Sequence, residues 1–218
     1  MRFAWAALVV AACGGQIDPS SVSSAQQAAP GDDSSQSSSS GGASSCASVR
    51  PMTTIATAMG GLAVDDTDVW VLEEDTGRIL RYPKCGGDAV EVYDGKTLQS
   101  PGGGVLRVDA DFVYWSNTQA YGGTIVRMPK TGGAPQPIVE NVYQPMDFVV
   151  DDANVYWIDN AYPDGQKVLP GNVSFVPKSG GRPTVLAVGE PAPHSIAVVG
   201  DTVYWANSRW ADAVGSIK

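Results

Sequence analysis

The 218-residue chain has no long apolar run, few basic residues and a single histidine. Its most apolar stretch, close to the N-terminus, is too short to span a bilayer as a helix. The 14 Lys and Arg against 23 Asp and Glu leave a net charge of −9, and the basic residues are scattered. Because nucleic-acid binding needs a basic face that neutralises phosphates, we expect no nucleic-acid partner.

The region after Arg50 also lacks the 3.6-residue apolar period of a helix. It has instead short apolar runs separated by Gly, Pro, Asn and Asp. This pattern is typical of strands joined by tight turns. We therefore expect an all-β domain over residues 49–218.

The N-terminal stretch MRFAWAALVVAAC has the features of an export signal: one basic residue, an apolar run and small residues. Val10-Ala11-Ala12-Cys13 resembles a bacterial lipobox, which implies that residues 1–12 are a signal peptide and that Cys13 is lipidated. An ordinary secretory peptide, or a start codon assigned too late, is the alternative. Glycines rather than an aspartate follow Cys13. With a lipobox they imply a cell-envelope lipoprotein, in the outer membrane of a Gram-negative bacterium, held to the membrane by its lipid anchor alone.

Residues 13–48 contain mostly Ser, Ala, Gln, Gly and Asp, and we expect a flexible linker. Lipidation of Cys13 would leave an even number of cysteines. Cys46 and Cys85 are then candidates for a disulfide, with two buried free thiols as the alternative.

A repeat is visible in the rest of the chain. Val-Tyr-Trp begins at Val113, Val155 and Val203, and a divergent copy, Val-Trp-Val, begins at Val69. Valines five residues before these motifs, at 64, 108, 150 and 198, give spacings of 44, 42 and 48 residues. A strand ending in Pro-Lys before Gly-Gly and a fourth strand complete each unit. Four strands at this period predict β-propeller blades, starting near residues 59, 103, 145 and 193.

The motifs Tyr114-Trp115-Ser116-Asn117, Tyr156-Trp157-Ile158-Asp159 and Tyr204-Trp205-Ala206-Asn207 resemble the YWTD repeats of low-density lipoprotein receptor-type propellers, and more loosely NHL-type repeats. The first repeat departs, with Trp70-Val71-Leu72-Glu73. The resemblance extends from about Met52 to the end of the chain and implies a fold rather than a function. A blade's second strand buries both faces, so we interpret the aromatic pair as packing.

The fourth repeat ends in GSIK where the earlier ones continue to Pro-Lys. With about 3.5 to 4 blades in the sequence, we expect a C-terminally truncated ring of six or more. A four-bladed ring closed by the segment TTIATA, residues 53–58, is the alternative.

The loops between second and third strands, and between fourth and first strands, vary in length and lie on one face of a propeller. Candidate ligand-binding residues on this variable-loop face are Tyr121, Asp147, Tyr162, His194 and Trp210. The aromatic residues among them could equally pack their own loops. An unknown protein or glycan is the partner that we expect at this face.

His194 is the weak catalytic candidate. Its segment Pro-His-Ser-Ile resembles segments of propeller lyases related to streptogramin lyase, and a channel-mouth histidine without catalytic function is the alternative. The positions equivalent to Asp147 are Gly61, Val105 and Ser195, so we expect no metal site, and no cofactor. The sequence favours a binding scaffold over a propeller lyase or hydrolase, with a surface structural protein without ligand as a third possibility.

Overall fold

The structure, a computed structural model, describes residues 58–96, 104–117, 122–159, 170–207 and 215–218. The strands in these ranges form four antiparallel sheets. All of them belong to one compact unit, Thr53–Lys218. The predicted signal peptide, the linker, Cys13 and Cys46 lie outside the described residues, as does most of the segment TTIATA.

The four sheets follow one another along the chain. Sheet 1 contains β1 (Met59–Val64), β2 (Asp68–Glu73), β3 (Ile79–Pro83) and β4 (Val90–Tyr93). Sheet 2 contains β5 (Leu106–Val108), β6 (Phe112–Asn117), β7 (Gly123–Pro129) and β8 (Gln136–Val142). Sheet 3 contains β9 (Pro145–Val150), β10 (Asn154–Asp159), β11 (Gly171–Pro177) and β12 (Thr184–Glu190), and sheet 4 contains β13 (Pro193–Val199), β14 (Thr202–Asn207) and β15 (Ser216–Ile217).

Each sheet is a meander in which every strand pairs with the next one in sequence. The first strands β1, β5, β9 and β13 pack beside one another in that order and form the inner edge of the assembly. The turns from first to second strand and from third to fourth strand therefore lie at one end of the sheets. The other two sets of connections lie at the opposite end.

The second strands are apolar on both faces because each lies between two neighbouring sheets. In β6, Val113 and Trp115 pack against sheet 1, whereas Tyr114 packs against sheet 3. In the divergent first repeat, Trp70 occupies the position of Tyr114 and packs against sheet 2. The irregular first copy of the motif thus keeps the same alternation.

The three junctions between sheets are not equally filled. Nine buried residues form the core between sheets 1 and 2, and eight form the next core, but only three form the core between sheets 3 and 4. Tyr204 is 45% exposed, whereas its equivalent Tyr114 is fully buried. No described residue covers the far face of sheet 4 as the following sheet covers sheets 1 to 3.

These observations confirm the predicted all-β class with four-stranded antiparallel blades. The described residues contain no helix long and apolar enough to cross a membrane.

Candidate functional site

The turns between first and second strands are fixed by one aspartate each. Asp109 Oδ1 accepts hydrogen bonds from the backbone N–H groups of Asp111 and Phe112, at 2.9 and 2.8 Å. Asp65 and Asp151 make the same pair of bonds in sheets 1 and 3. This is the side-chain-closed turn in which aspartate is favoured, and the predicted turn-forming role of these aspartates is what it shows.

The second carboxylate oxygen of the same aspartate holds two sheets together. Asp109 Oδ2 accepts hydrogen bonds from the Tyr114 hydroxyl, at 2.6 Å, and from Lys178 Nζ of sheet 3, at 2.8 Å. Asp65 Oδ2 likewise accepts from Trp70 Nε1 and pairs with Lys130 Nζ of sheet 2, both at 2.8 Å. We call each set of aspartate, aromatic residue and following lysine an intersheet bridge.

The intersheet bridges shift the titration of their members. Burial alone would raise the pKa of Asp109, but the hydrogen bonds from Lys178, Tyr114 and the backbone outweigh it and lower the pKa to about 2. The pKa of Asp65 is lowered by the corresponding contacts. Burial, and then the hydrogen bond to Asp109, raise the pKa of Tyr114 well above its usual range. The lysines of the Pro-Lys motifs are therefore structural in sheets 2 and 3.

The opposite end of the sheets bears the connections of variable length. In the described residues, the non-glycine positions with positive φ are Asn141 (59°), Gln144 (35°) and Ala192 (50°), and all lie in the corners that lead into β9 and β13. Such backbone conformations cost energy for residues other than glycine. The predicted contact residues Tyr121, Tyr162 and Trp210, in the longer loops at this end, lie outside the described residues.

A polar residue ends each second strand at this variable end. Glu73 is buried and is paired with Arg78 through two nitrogens, Nε at 2.7 Å and Nη2 at 3.1 Å. Asp159 accepts hydrogen bonds from the backbone and the side-chain amide of Asn172, both at 3.2 Å. Burial raises the pKa of Asp159, and the bonds from Asn172 and Trp157 only partly offset this.

Asp147 lies on the inner strand β9 and connects three sheets. Its Oδ1 accepts a hydrogen bond from Arg107 Nη2 of sheet 2 at 2.7 Å, and its Oδ2 accepts one from the Ile196 backbone N–H of sheet 4 at 3.1 Å. Its side chain is 15% exposed. The contacts that the structure gives to this candidate ligand-binding residue are thus contacts with neighbouring inner strands, and Arg107 is the residue that the sequence did not point to.

His194 begins the same inner face on β13 and is exposed. Its Nδ1 lies 3.4 Å from Ser195 Oγ, and the described residues place no carboxylate in hydrogen-bond contact with the ring. A general base needs a partner that orients it and a substrate within reach. The described residues also contain no cluster of three or more His, Cys, Asp or Glu that could hold a metal ion.

Cys85, at the end of the first Pro-Lys motif, is in a disulfide. Its partner lies outside the described residues, so the pairing with Cys46 stays a prediction. A shallow cleft between β4 and the turn after β7, lined by Glu91–Asp94 and Gly133–Pro135, opens at the outer edge of sheets 1 and 2, away from Asp147 and His194.

Solved structures with the same arrangement of sheets are β-propellers. A chain of the nidogen/laminin complex superposes with a TM-score of 0.51 at 17% identity, over 71% of this chain and 73% of that one. The computationally designed Ika4 protein gives 0.52 at 13%, over 77% and 94%. The tricorn protease gives 0.51 at 13%, over 72% of this chain and 16% of its own length.

No protein-family model matches the sequence, and no curated protein matches it. At these identities the structural similarity shows the fold alone. The four sheets are therefore propeller blades.

Proposed function

We propose that this protein is a lipid-anchored, exported propeller that binds a protein or glycan through its variable-loop face. The observation that carries the proposal is the contrast between the two ends of the sheets. Aspartate turns and intersheet bridges make one end nearly uniform from repeat to repeat. The other end carries loops of different length and the strained corners at Asn141, Gln144 and Ala192.

This arrangement suits binding because a rigid scaffold presents loops that can vary without disturbing it. Of the proteins with a similar fold, the nidogen chain comes from a complex with laminin, so that propeller is found in a protein complex. The YWTD-like motifs support the same kind of propeller here. Inner-strand residues beside the loops, Asp147 and Arg107, are already engaged with each other, which favours contact by the loop residues.

The test compares two triple variants of the full chain. Tyr121→Ala, Tyr162→Ala and Trp210→Ala together remove the aromatic groups of the variable-loop face. Asp66→Ala, Thr131→Ala and Ser179→Ala change exposed turn residues at the opposite end. With a partner identified by cross-linking on intact cells, the first variant is expected to lose its capture and the second to retain it. Equal capture by both variants would rule out binding through this face.

The anchor is tested separately by metabolic labelling with an alkyne fatty acid, which should label the wild-type chain and not Cys13→Ala. Envelope fractionation then assigns the membrane. Replacement of His194 by alanine bears on the enzymatic alternative, since the binding proposal requires partner capture to be unaffected by it.

A further inference from the structure

The third strand of sheet 4 covers only part of its neighbour. β15 pairs with Ala206 and Asn207 of β14, and the backbone bonds between Trp205 and Lys218 extend the ladder by one residue. In sheets 2 and 3, by contrast, β7 and β11 pair along the whole second strand. Within the described ranges, the edge of β14 from Thr202 to Tyr204 has no strand on this side.

The backbone groups along this edge are suitably placed to accept a strand. In an antiparallel ladder, hydrogen-bonding groups of alternate residues point to the same side. Since Trp205 N–H and C=O bond to Lys218, those of Val203 point to the same side. An extended segment continuing the line of β15 would meet them in register.

The neighbouring core lacks the side chain that this segment would supply. Met128 in β7 and Val176 in β11 each lie two residues before the lysine, are fully buried and pack against the preceding sheet. The described part of sheet 4 has no residue at this position. Tyr156, Val203 and Trp205, which surround it, are only partly buried.

The charge at the same place is also uncompensated in the described residues. Asp65 and Asp109 each hold the ammonium group of a lysine from the following sheet at 2.8 Å. Asp151 closes the same turn in sheet 3 through its Oδ1, and no described lysine or arginine forms an ion pair with it. It lies beside the Tyr156 hydroxyl, which hydrogen-bonds to it as Tyr114 does to Asp109. The negative charge of Asp201 also acts on Tyr156.

We infer that this third-strand slot, formed by Asp151, Tyr156 and Thr202–Trp205, binds an extended segment of another polypeptide with the sequence apolar-Pro-Lys. Its backbone pairs with Val203, its apolar side chain enters the core between sheets 3 and 4, and its lysine binds Asp151. The slot is separate from the variable-loop face, and the inference does not depend on the proposed function.

The test uses a peptide with the sequence of residues 127–133 of this chain, RMPKTGG, labelled with fluorescein at its C-terminus. Fluorescence anisotropy measures its binding to the full-length protein at low ionic strength. Binding is expected to be saturable and to weaken about ten-fold or more when glutamine replaces the peptide lysine, because a charge-assisted pair is lost. Asp151→Asn in the protein should have a similar effect.

Asp152→Asn is the matched control, since Asp152 is the exposed neighbour of Asp151 in the same turn and should leave binding unchanged. Asparagine at 151 keeps an oxygen for the turn bonds, and circular dichroism checks that the variant folds. Amide exchange at Val203 should slow when the peptide binds. The inference is overturned by absence of saturable binding, by equal binding of the glutamine peptide, or by indifference to Asp151→Asn.

Discussion

At the scale of single residues, Lys178 shows how a repeat unit is tied to the one before it. Its ammonium group bonds to Asp109 and lies 5.9 Å from the centre of the Tyr114 ring. Both charged side chains are about four-fifths covered, 19% and 23% exposed. Such a pair lies between an exposed ion pair, which contributes little, and a buried one, whose disruption is costly.

Replacement of Lys178 by methionine is expected to lower the free energy of unfolding at pH 7 by about 1–2 kcal/mol. The loss should shrink in acid. The pKa of Asp109 is about 2 in the folded protein and 3.8 for an unperturbed aspartate, so the stability from its ionised form is complete above the unfolded value. It disappears as the pH falls through the folded value, because the unfolded chain binds the proton first.

Urea unfolding of both proteins at intervals from pH 7 to pH 2 measures this difference. Lys96→Met is the control, because Lys96 is 84% exposed in its contact with Asp94 and should contribute little. A stability gap between wild type and Lys178→Met that stayed constant down to pH 2 would exclude the bridge as its cause.

At the scale of strands, the repeated aromatic position is a comparison within one chain. Tyr114 in β6 is fully buried between sheets 2 and 3, whereas Tyr204 occupies the same position in β14 with 45% of its surface exposed. Tyr204 also lacks the aspartate five residues earlier, where the sequence has Val199.

Tyr114→Ala is therefore expected to lower the free energy of unfolding by about 3–5 kcal/mol, and Tyr204→Ala by about 1 kcal/mol or less. The first substitution leaves a cavity between two sheets and removes a hydrogen bond to Asp109, whereas the second removes a half-solvated ring. Thermal and chemical unfolding of the two variants measure the difference. Similar losses would mean that Tyr204 is covered in solution.

The strands could be predicted from the sequence because their signal is local. The valine and aromatic runs, the Asp-rich turns and the period of 42 to 48 residues are enough to predict four-stranded units. Contacts between units are not local. Lys178 binds an aspartate 69 residues earlier, and Arg107 binds Asp147 across two inner strands that only stacking brings together.

A usable signal for the intersheet bridges was nevertheless present. An aspartate five residues before the aromatic residue recurs in repeats 1 to 3, and Pro-Lys recurs in the third strand of each. Their joint recurrence indicates a shared role, although it does not say that the lysine reaches the preceding sheet. Asp147 could be selected as the charged residue on an inner strand, but its engagement with Arg107 and Ile196 required the structure.

At the scale of the whole molecule, each sheet contacts its sequence neighbours, so stability is distributed along the array as in other repeat proteins. The two intersheet bridges and the two larger cores join sheets 1, 2 and 3. Sheet 4 is joined to sheet 3 through a core of three buried residues and through Asp147. The array is thus weakest at its last junction.

Hydrogen exchange followed by mass spectrometry is expected to show this gradient directly. Peptides covering β13 and β14 should exchange at least about ten-fold faster than peptides covering β6 and β7, because local opening of sheet 4 exposes less apolar surface and breaks no intersheet bridge. The internal control is β10, which borders both an intact junction and the weak one and should exchange at an intermediate rate. Uniform protection across the four sheets would show that sheet 4 is held by contacts beyond those of the described residues, and Asp147→Asn, which weakens its bond to the Ile196 amide, would then have little effect on exchange in β13.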